Sequence, residues 1–207
     1  MEWFGVDTYF SVFQRPFPDQ IKRKLKTIDF LISCQDFLIL LENLGIVFAF
    51  PRINLQKHVQ VLSKKYCENY EINKYIEDMI LTEKNEYKLE VTDALLSLRR
   101  NLQFFLEFFE GICNDETLEE DISVFAKASY IRNLERYQTC CSNFLYKCAI
   151  AFLPSRKKFL TKITFDKENS AEFALYDMND FTISLRSCLE HLIHFYIVNG
   201  LEWEYKR

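Results

Sequence analysis

Residues 94–114 read ALLSLRRNLQFFLEFFEGICN, and their apolar side chains recur at the spacing of an α-helix. The helix predicted over residues 88–110 carries one apolar stripe, formed by Val91, Leu95, Leu98, Leu102, Leu106 and Phe109. A second stripe widens this surface, with Ala94, Phe104, Phe105 and Phe108. A helix that is apolar over most of its circumference lies at the centre of a domain or lines an apolar cavity. The pattern alone leaves both interpretations open.

The composition of the chain points to an all-helical fold. The 207 residues include only 4 Gly and 4 Pro, whereas the two together make up about 12% of an average protein. Turns that need glycine are therefore scarce, which argues against all-β and α/β folds. The chain is 49% hydrophobic and contains 20 Phe, so one large core is within reach at this length. We expect an all-α fold in a single domain, residues 1–207.

Charge, hydropathy and cysteine content exclude several classes of protein. The formal net charge is −4, whereas a nucleic-acid-binding protein usually has a basic balance. No apolar run approaches the roughly 20 residues of a membrane-spanning helix, and the opening MEWFGVD lacks the pattern of a secretory signal. The 7 Cys are an odd number without a CxxC motif, which is usual in a reduced compartment. We expect a cytosolic protein that binds no nucleic acid.

The few glycines and prolines divide the chain into helices. Asp19 is a candidate N-cap and Gly45 a candidate stop for the first helix. Pro51 suits the first turn of the second helix, and Gly111 and Pro154 end two later ones. The predicted helices are residues 19–44, 52–66, 71–84, 88–110, 121–153, 156–162 and 178–199.

Motifs for catalysis or for a cofactor do not occur in the sequence. There is no glycine-rich phosphate loop, GxSxG turn or HExxH motif. His191 and His194 lie three residues apart, a spacing that could hold a metal ion, with Cys188 and Glu190 nearby. No second ligand cluster accompanies them, so we expect two incidental histidines on an amphipathic helix. The sequence predicts no metal, no cofactor and no enzymatic activity.

Two segments combine features that suit a membrane surface. Aromatic residues of the first 17 positions precede a basic cluster at Arg15, Lys22, Arg23, Lys24 and Lys26. A second basic cluster is Arg156, Lys157 and Lys158. Aromatic and basic side chains are typical of a membrane–water interface. The alternative is an N-terminal arm packed on the core beside a solvated basic face.

Residues 94–114 resemble the central helix of the glycolipid transfer protein family, whose pattern is ALxWLKRGLxFIxxFLxxIC. The resemblance continues at Phe30, Leu31, Gly45, Val47, Phe48, Tyr130, Leu134, Tyr137, Pro154, Phe159, Leu160, Tyr205 and Lys206. It implies an all-α two-layer sandwich of about seven to eight helices around a pocket for lipid chains, with a polar headgroup site at its mouth. It also implies a sphingolipid ligand, transient contact with membranes and no cofactor; we expect a monomer.

Several headgroup positions depart from the family pattern. Asn54 stands where the family has an Asp that accepts the sphingoid amide, and His58 where it has a sugar-binding Asn. Ser97 replaces the Trp on which a sugar stacks, and Gln138 replaces a His that donates to the acyl carbonyl. Asn54 keeps an acceptor and Gln138 keeps a donor, but Ser97 has no ring, so stacking of a sugar is lost. Further replacements are Val61 for a Lys and Cys140 for a Trp near the membrane.

A basic pair is kept beside the lost stacking platform. Arg99 and Arg100, with His58 and Lys57, could form a partial phosphate site, because Arg suits bidentate contact with phosphate. The alternative is that both arginines are solvated on the helix surface. The headgroup residues that the resemblance implies are therefore Asn54, His58, Arg99, Arg100, Gln138 and Tyr205.

Two functions follow from these residues. The first is transfer of ceramide phosphate or another sphingolipid between membranes, by a cytosolic protein that touches them peripherally. The second is a non-transferring lipid sensor or protein-interaction module that keeps the fold, with Phe104, Phe108 and Phe144 filling the pocket.

Overall fold

A computed structural model describes residues 6–13, 16–20, 24–86 and 88–202. These ranges form eight α-helices, two short 3-10 helices and, instead of a strand, one isolated antiparallel bridge between Lys26 and Tyr75. The fold class is therefore all-α, as predicted. The α-helices are α1 (Thr27–Leu44), α2 (Ala49–Glu68), α3 (Ile76–Asn85), α4 (Glu90–Cys113), α5 (Ser123–Asn133), α6 (Cys140–Ala151), α7 (Arg156–Ile163) and α8 (Ala171–Val198). The 3-10 helices are Ile46–Phe48 and Glu135–Tyr137.

Helix α4 lies at the centre of the fold. It packs against α2, α5 and α8, while α1 covers α2 and α7 packs on α8. Both of its predicted apolar stripes are buried. Phe37 of α1 links them to the opposite side of the core, since its ring lies 5.1 Å from Phe105 and stacks on Phe181 at 5.6 Å. The buried phenylalanines of α1, α4 and α8 therefore form one continuous interior.

Buried charged side chains bind both ends of α4. At its N-terminus, the carboxylate of Glu83 accepts hydrogen bonds from the backbone amides of Val91 at 2.8 Å and Thr92 at 2.7 Å. Beyond its C-terminus, Arg156 Nη2 donates to the carbonyl of Ile112 at 2.9 Å, and Nη1 pairs with Asp115 at 3.2 Å. An anion at the start of a helix and a cation at its end both complement the helix dipole. Arg156 is therefore buried, and only Lys157 and Lys158 of the predicted basic cluster are exposed.

Three predicted helix starts are wrong, and one of them is that of the last helix, which begins at Ala171 rather than residue 178. The first helix begins at Thr27 rather than Asp19, because the chain just before it is extended and bonded to the first turn of α3 and to the residues that precede α3. Leu25 N donates to both carboxylate oxygens of Glu77 at 3.1 Å, and Thr27 N donates to the carbonyl of Lys74 at 3.0 Å. The third helix begins at Ile76 rather than residue 71. These non-local bonds leave no sign in helical periodicity.

The predicted helix over residues 121–153 is also wrong, because the chain turns in its middle. Helix α5 ends at Asn133, a 3-10 turn follows, and α6 begins at Cys140. Thr139 caps α6, since its hydroxyl accepts a hydrogen bond from Ser142 N at 3.3 Å. This turn brings residues 134–142 against α2 and α4, where they line a cleft.

In the ranges that the structure describes, no helix is both long and apolar enough to cross a membrane.

Candidate functional site

A polar cleft of about 300 Å³ lies between α2, α4 and the turn that joins α5 to α6. Helix α2 contributes Asn54 and His58 one turn apart, and α4 presents Arg100 across from Gln138 of the turn. Four of the six predicted headgroup residues therefore line one cleft, although they are up to 84 positions apart in the chain (138 − 54 = 84). The complete lining is Asn54, Lys57, His58, Asp93, Leu96, Ser97, Arg100, Asn101, Leu134, Tyr137, Gln138, Thr139 and Ser142.

The other two predicted headgroup residues lie elsewhere. Arg99 does not line this cleft, and Tyr205 lies outside the described residues. No headgroup role was predicted for Asp93, Asn101 or Tyr137, which also line the cleft. A signal for the first two was present, because Asp93, Ser97 and Asn101 follow one another at i, i+4 on α4 and so share a face with Arg100.

A buried hydrogen-bond network fixes the orientation of Asn54. Its Nδ2 donates to Asn101 Oδ1 at 3.3 Å and to the Tyr146 hydroxyl at 3.2 Å. Tyr146 in turn donates to Asn101 Oδ1, and Asn101 Nδ2 donates to the Ser97 carbonyl at 2.8 Å. Burial raises the pKa of the Tyr146 phenol, so it stays a neutral donor. The carbonyl oxygen of Asn54 bonds to no described donor and can accept one from a ligand.

The two arginines of α4 are buried rather than solvated on the helix surface. Arg99 is 6% exposed and Arg100 is 8% exposed. Arg99 Nη2 donates to both carboxylate oxygens of Glu202, and the guanidinium lies 5.9 Å from the Tyr196 ring. Burial lowers the pKa of Arg99, and the neighbouring Glu202 carboxylate opposes that shift. Arg99 is therefore committed to an internal ion pair.

Arg100 reaches the cleft while stacked on an aromatic ring. Its guanidinium carbon lies 3.6 Å from the centroid of the Tyr137 ring, and Nη2 lies 3.3 Å from Glu202 Oε1. Stacking and the carboxylate fix the plane of the guanidinium, so the charged group is held ready at the cleft wall.

The turn that carries Gln138 is tied to α5 and α6. Asn143 Nδ2 donates to the Gln138 carbonyl at 3.3 Å, and the Tyr130 hydroxyl donates to Asn143 Oδ1. Thr139 accepts a hydrogen bond from the first turn of α6, as described above. Gln138 therefore belongs to an ordered rim of the cleft.

A narrow apolar crevice adjoins the polar cleft at Tyr146. The hydroxyl of Tyr146 belongs to the polar network, whereas its ring lies 6.1 Å from the Phe104 ring inside the crevice. The crevice has a volume of about 20 Å³, room for about one water molecule. Its walls include Val47, Phe48, Pro51, Phe104, Phe105, Phe108, Ala126, Tyr146, Ala149, Ile150 and Leu153. Phe144, which was expected to help fill a blocked pocket, is instead 65% exposed.

The histidine pair lies away from this cleft. His191 Nε2 is 2.6 Å from Glu77 Oε1, and both side chains are buried. No group of three or more metal-ligating side chains occurs among the described residues.

Comparisons with known proteins agree with this fold. Residues 25–165 match the family described as Glycolipid transfer protein (GLTP). A relative is the Canis lupus familiaris protein "Pleckstrin homology domain-containing family A member 8", 26% identical over 211 residues that cover 95% of this chain and 40% of the relative. The chain thus spans about 40% of the length of the curated relatives that it matches most fully.

Solved structures share the fold. A fungal glycolipid transfer protein, HET-C2, superposes with a TM-score of 0.84 at 19% identity, over 95% of this chain and 100% of that one. The human ceramide-1-phosphate transfer protein bound to 12:0 ceramide-1-phosphate superposes with a TM-score of 0.80 at 16% identity, over 93% and 95% of the two chains.

Proposed function

The chain belongs to the glycolipid transfer protein family, and from that membership we propose that it binds a sphingolipid and carries it between membranes. The observation that carries the proposal is that the polar cleft and the apolar crevice adjoin at Tyr146, whose ring lines the crevice and whose hydroxyl bonds to Asn54 and Asn101 of the cleft wall. A ligand with a polar headgroup and long apolar chains would place its headgroup in the cleft and its chains in the crevice. We further propose that residues 1–207 act as a single domain and a monomer, cytosolic and peripheral at membranes, with no cofactor and no nucleic acid.

Each polar residue of the cleft has a proposed role. The Asn54 carbonyl oxygen accepts the amide N–H of the sphingoid base, and Gln138 donates to the acyl carbonyl. His58 and Arg100 contact oxygens of the headgroup, and Arg99 acts indirectly by holding Glu202 beside Arg100. These hydrogen bonds select the lipid, whereas burial of chain methylenes, about 0.8 kcal/mol each, supplies most of the binding free energy.

The charges of the cleft favour ceramide phosphate as the ligand. Ser97 offers no ring for a sugar to stack on. Lys57, His58 and Arg100 bring three basic side chains to the walls, against the one carboxylate of Asp93. Arg gives charge-assisted contacts with phosphate that are about twice as strong as neutral hydrogen bonds. A phosphate headgroup is therefore the proposed choice over a sugar.

An exposed apolar face is the proposed contact with the membrane. Ile46 in the first 3-10 helix is 87% exposed, and Phe152 just after α6 is 75% exposed. The two segments are neighbours, since the adjacent Val47 and Leu153 line the same crevice. Lys157 and Lys158 are exposed nearby at the start of α7, and a basic residue near an anionic surface contributes about 1 kcal/mol. The crevice would thus meet the bilayer at the place where lipid chains enter.

The small volume of the crevice supports a second candidate function. A cavity for about one water molecule cannot hold a lipid chain unless Phe104 and Phe108 move apart from their stacked arrangement, with centroids 6.3 Å apart. A protein in which these rings stay closed would be a lipid sensor or an interaction module without transfer activity.

Lipid uptake and transfer separate these two functions. We would express the chain in bacteria, incubate it with vesicles of phosphatidylcholine and mixed sphingolipids, recover it and identify bound lipid by mass spectrometry. Transfer is measured in parallel between donor and acceptor vesicles. We expect stoichiometric bound sphingolipid and net transfer. An empty protein with no transfer of any sphingolipid would overturn the proposal and favour the second candidate.

The headgroup assignment has its own test in Arg100→Lys. This variant keeps the charge but loses the planar guanidinium that stacks on Tyr137. We expect weaker binding of ceramide phosphate with little change for neutral ceramide lipids. The matched control is Arg132→Lys, because Arg132 is an exposed arginine paired with Glu107 at 2.8 Å away from the cleft. Equal losses for both lipid classes would argue against phosphate recognition by Arg100.

A further inference from the structure

The outward face of α6 combines exposed thiols with exposed apolar side chains. Helical spacing places positions 140, 141, 144, 145, 148 and 152 on one side of the helix. Among them, Cys140, Cys141, Phe144, Leu145 and Phe152 are exposed. Tyr146 and Ile150 are buried on the opposite side of α6. Lys147 lies at the edge of the exposed stripe and pairs with Glu135 at 2.7 Å.

Two of these thiols stand apart from the buried cysteines of the chain. Cys34 and Cys188 lie in the core, where burial raises the pKa of their thiols. Burial also raises the pKa of Cys113, to about 12. Cys140 and Cys141 are exposed neighbours in the first turn of α6. A thiol reacts only where a reagent can reach it, so these two are accessible to modification.

We propose that Cys140 and Cys141 are a site of reversible S-acylation by long-chain fatty acids. The proposal rests on the membrane contact proposed above, since Phe144, Leu145 and Phe152 would bring both thiols to the lipid headgroup level. Cysteines on an amphipathic or membrane-adjacent helix are the usual substrates of this modification.

The chemistry needs one co-reactant, a long-chain acyl thioester of coenzyme A. The cysteine Sγ loses its proton to the base of a membrane acyltransferase and attacks the acyl carbonyl carbon. A new carbon–sulfur bond forms, the bond between the acyl carbon and the coenzyme A sulfur breaks, and coenzyme A leaves as a thiol carrying a proton. No oxidant or reductant takes part, and hydrolysis of the thioester restores the cysteine.

Acylation would change where the protein works. A single saturated chain of 14 carbons binds a bilayer with an association constant of only about 10⁴ M⁻¹, whereas two chains anchor stably. Two adjacent cysteines therefore offer a graded anchor. The acylated protein would remain at one membrane and the deacylated protein would move between membranes.

The modification is tested by metabolic labelling of the full chain in cultured eukaryotic cells. Cells receive an alkynyl analogue of palmitate, and the recovered protein is coupled to a fluorescent azide with and without hydroxylamine, which cleaves thioesters. We expect a hydroxylamine-sensitive label on the wild-type chain and loss of nearly all of it in the double variant Cys140→Ser/Cys141→Ser. Cys67→Ser is the matched control, because Cys67 is exposed near the end of α2 and outside the apolar face.

A second readout does not depend on how the variants fold. Trypsin releases residues 137–147 (YQTCCSNFLYK) with both cysteines and residues 148–156 with Cys148. Acyl mass on the first peptide supports the proposal. No label on the wild-type chain, or acyl mass only at Cys67 or Cys148, overturns it. Transfer by unacylated protein from bacteria is measured separately, so loss of transfer and loss of acylation are distinguishable.

Discussion

The carboxylate of Glu202 accepts two hydrogen bonds from one nitrogen of Arg99, at 2.6 and 2.7 Å. The same carboxylate lies 3.3 Å from Arg100, so one negative charge serves two buried guanidinium groups. A segment that follows α8 thereby helps to set the charge at the wall of the cleft. An anionic headgroup that approaches Arg100 would meet a guanidinium that Glu202 already partly neutralises.

Glu202→Gln should separate the structural role of this carboxylate from its effect on the ligand. Loss of this negative charge leaves the positive charges of two buried arginines less well balanced, so we expect the free energy of unfolding to fall by about 1–3 kcal/mol. This loss is smaller than for a fully buried ion pair because Glu202 is partly exposed. We also expect tighter binding of ceramide phosphate, because Arg100 loses a competing anion. Denaturant unfolding and vesicle binding measure the two effects.

The control for this substitution is Glu68→Gln. Glu68 pairs with Lys65 at 2.9 Å on the surface of α2, and an exposed pair contributes about 0–1 kcal/mol. If Glu202→Gln weakened ceramide phosphate binding while the folded fraction stayed unchanged, Glu202 would be a ligand contact rather than a competitor.

Tyr146→Phe should destabilise the protein, because it removes one hydroxyl from a buried hydrogen-bond network. The hydroxyl accepts from Asn54 and donates to Asn101, and both amides would lose a buried partner. We expect unfolding to become easier by about 1–3 kcal/mol and amide recognition by Asn54 to weaken. Thermal unfolding and binding of a neutral ceramide lipid measure the two effects. Tyr176→Phe serves as the control because Tyr176 is exposed on α8, and a similar loss there would remove this interpretation.

The residues of the cleft could be predicted only in part. Asn54, His58, Arg100 and Gln138 followed from the family resemblance, and the structure places all four along one cleft. The pairing of Arg99 with Glu202 could not be predicted, because neither helical spacing nor family position encodes a contact across 103 residues. Tyr146 was missed for another reason: a tyrosine four residues before Ile150 on a helix has the spacing of an ordinary core residue.

Ala149→Trp tests whether the apolar crevice admits lipid chains. Ala149 lines the crevice of about 20 Å³ and is only half-buried, so a tryptophan there can lie across the mouth of the crevice from the solvent side with little disturbance of the core. We expect loss of sphingolipid transfer with a nearly unchanged unfolding midpoint. Ala171→Trp is the control, since Ala171 is exposed at the start of α8. Transfer that survives Ala149→Trp would show that lipid chains take another path.

The helices were predictable wherever periodicity was strong, and four of their ends, Leu44, Asn85, Ile163 and Val198, lie within one residue of the prediction. Three helix starts and the break between α5 and α6 were not predictable. Helix α4 is buried on both predicted faces, because a helix that is apolar over most of its circumference is stable only when neighbouring elements cover it. The turn between α5 and α6 contains neither glycine nor proline; there, Tyr137 packs against Arg100 and Thr139 caps the next helix. These are tertiary contacts and a cap inside a segment with helical periodicity, so the pattern predicts one continuous helix.

Gly111 is a second position where the sequence pattern gave a wrong helix boundary. It was predicted to follow the end of a helix, but it lies inside α4, which continues to Cys113. A Cβ at this position would lie 2.9 Å from both Cβ and Cδ1 of Phe125. Glycine is therefore required by the close approach of α5 and not by a helix stop.

Gly111→Ala should consequently destabilise the protein, although alanine is the better helix former. The gain in helix propensity is about 0.5–1 kcal/mol, while forcing extra atoms into a packed contact costs about 1–3 kcal/mol. The contact involves the Cβ of Phe125, which cannot swing away without moving α5. We expect a net loss of about 1 kcal/mol in the free energy of unfolding. In a Phe125→Gly background all of the contacting side-chain atoms are absent, so the same substitution should be neutral or stabilising. A double-mutant cycle by denaturant unfolding measures this coupling, and additive effects would show that the close approach of α4 and α5 is not what requires glycine here.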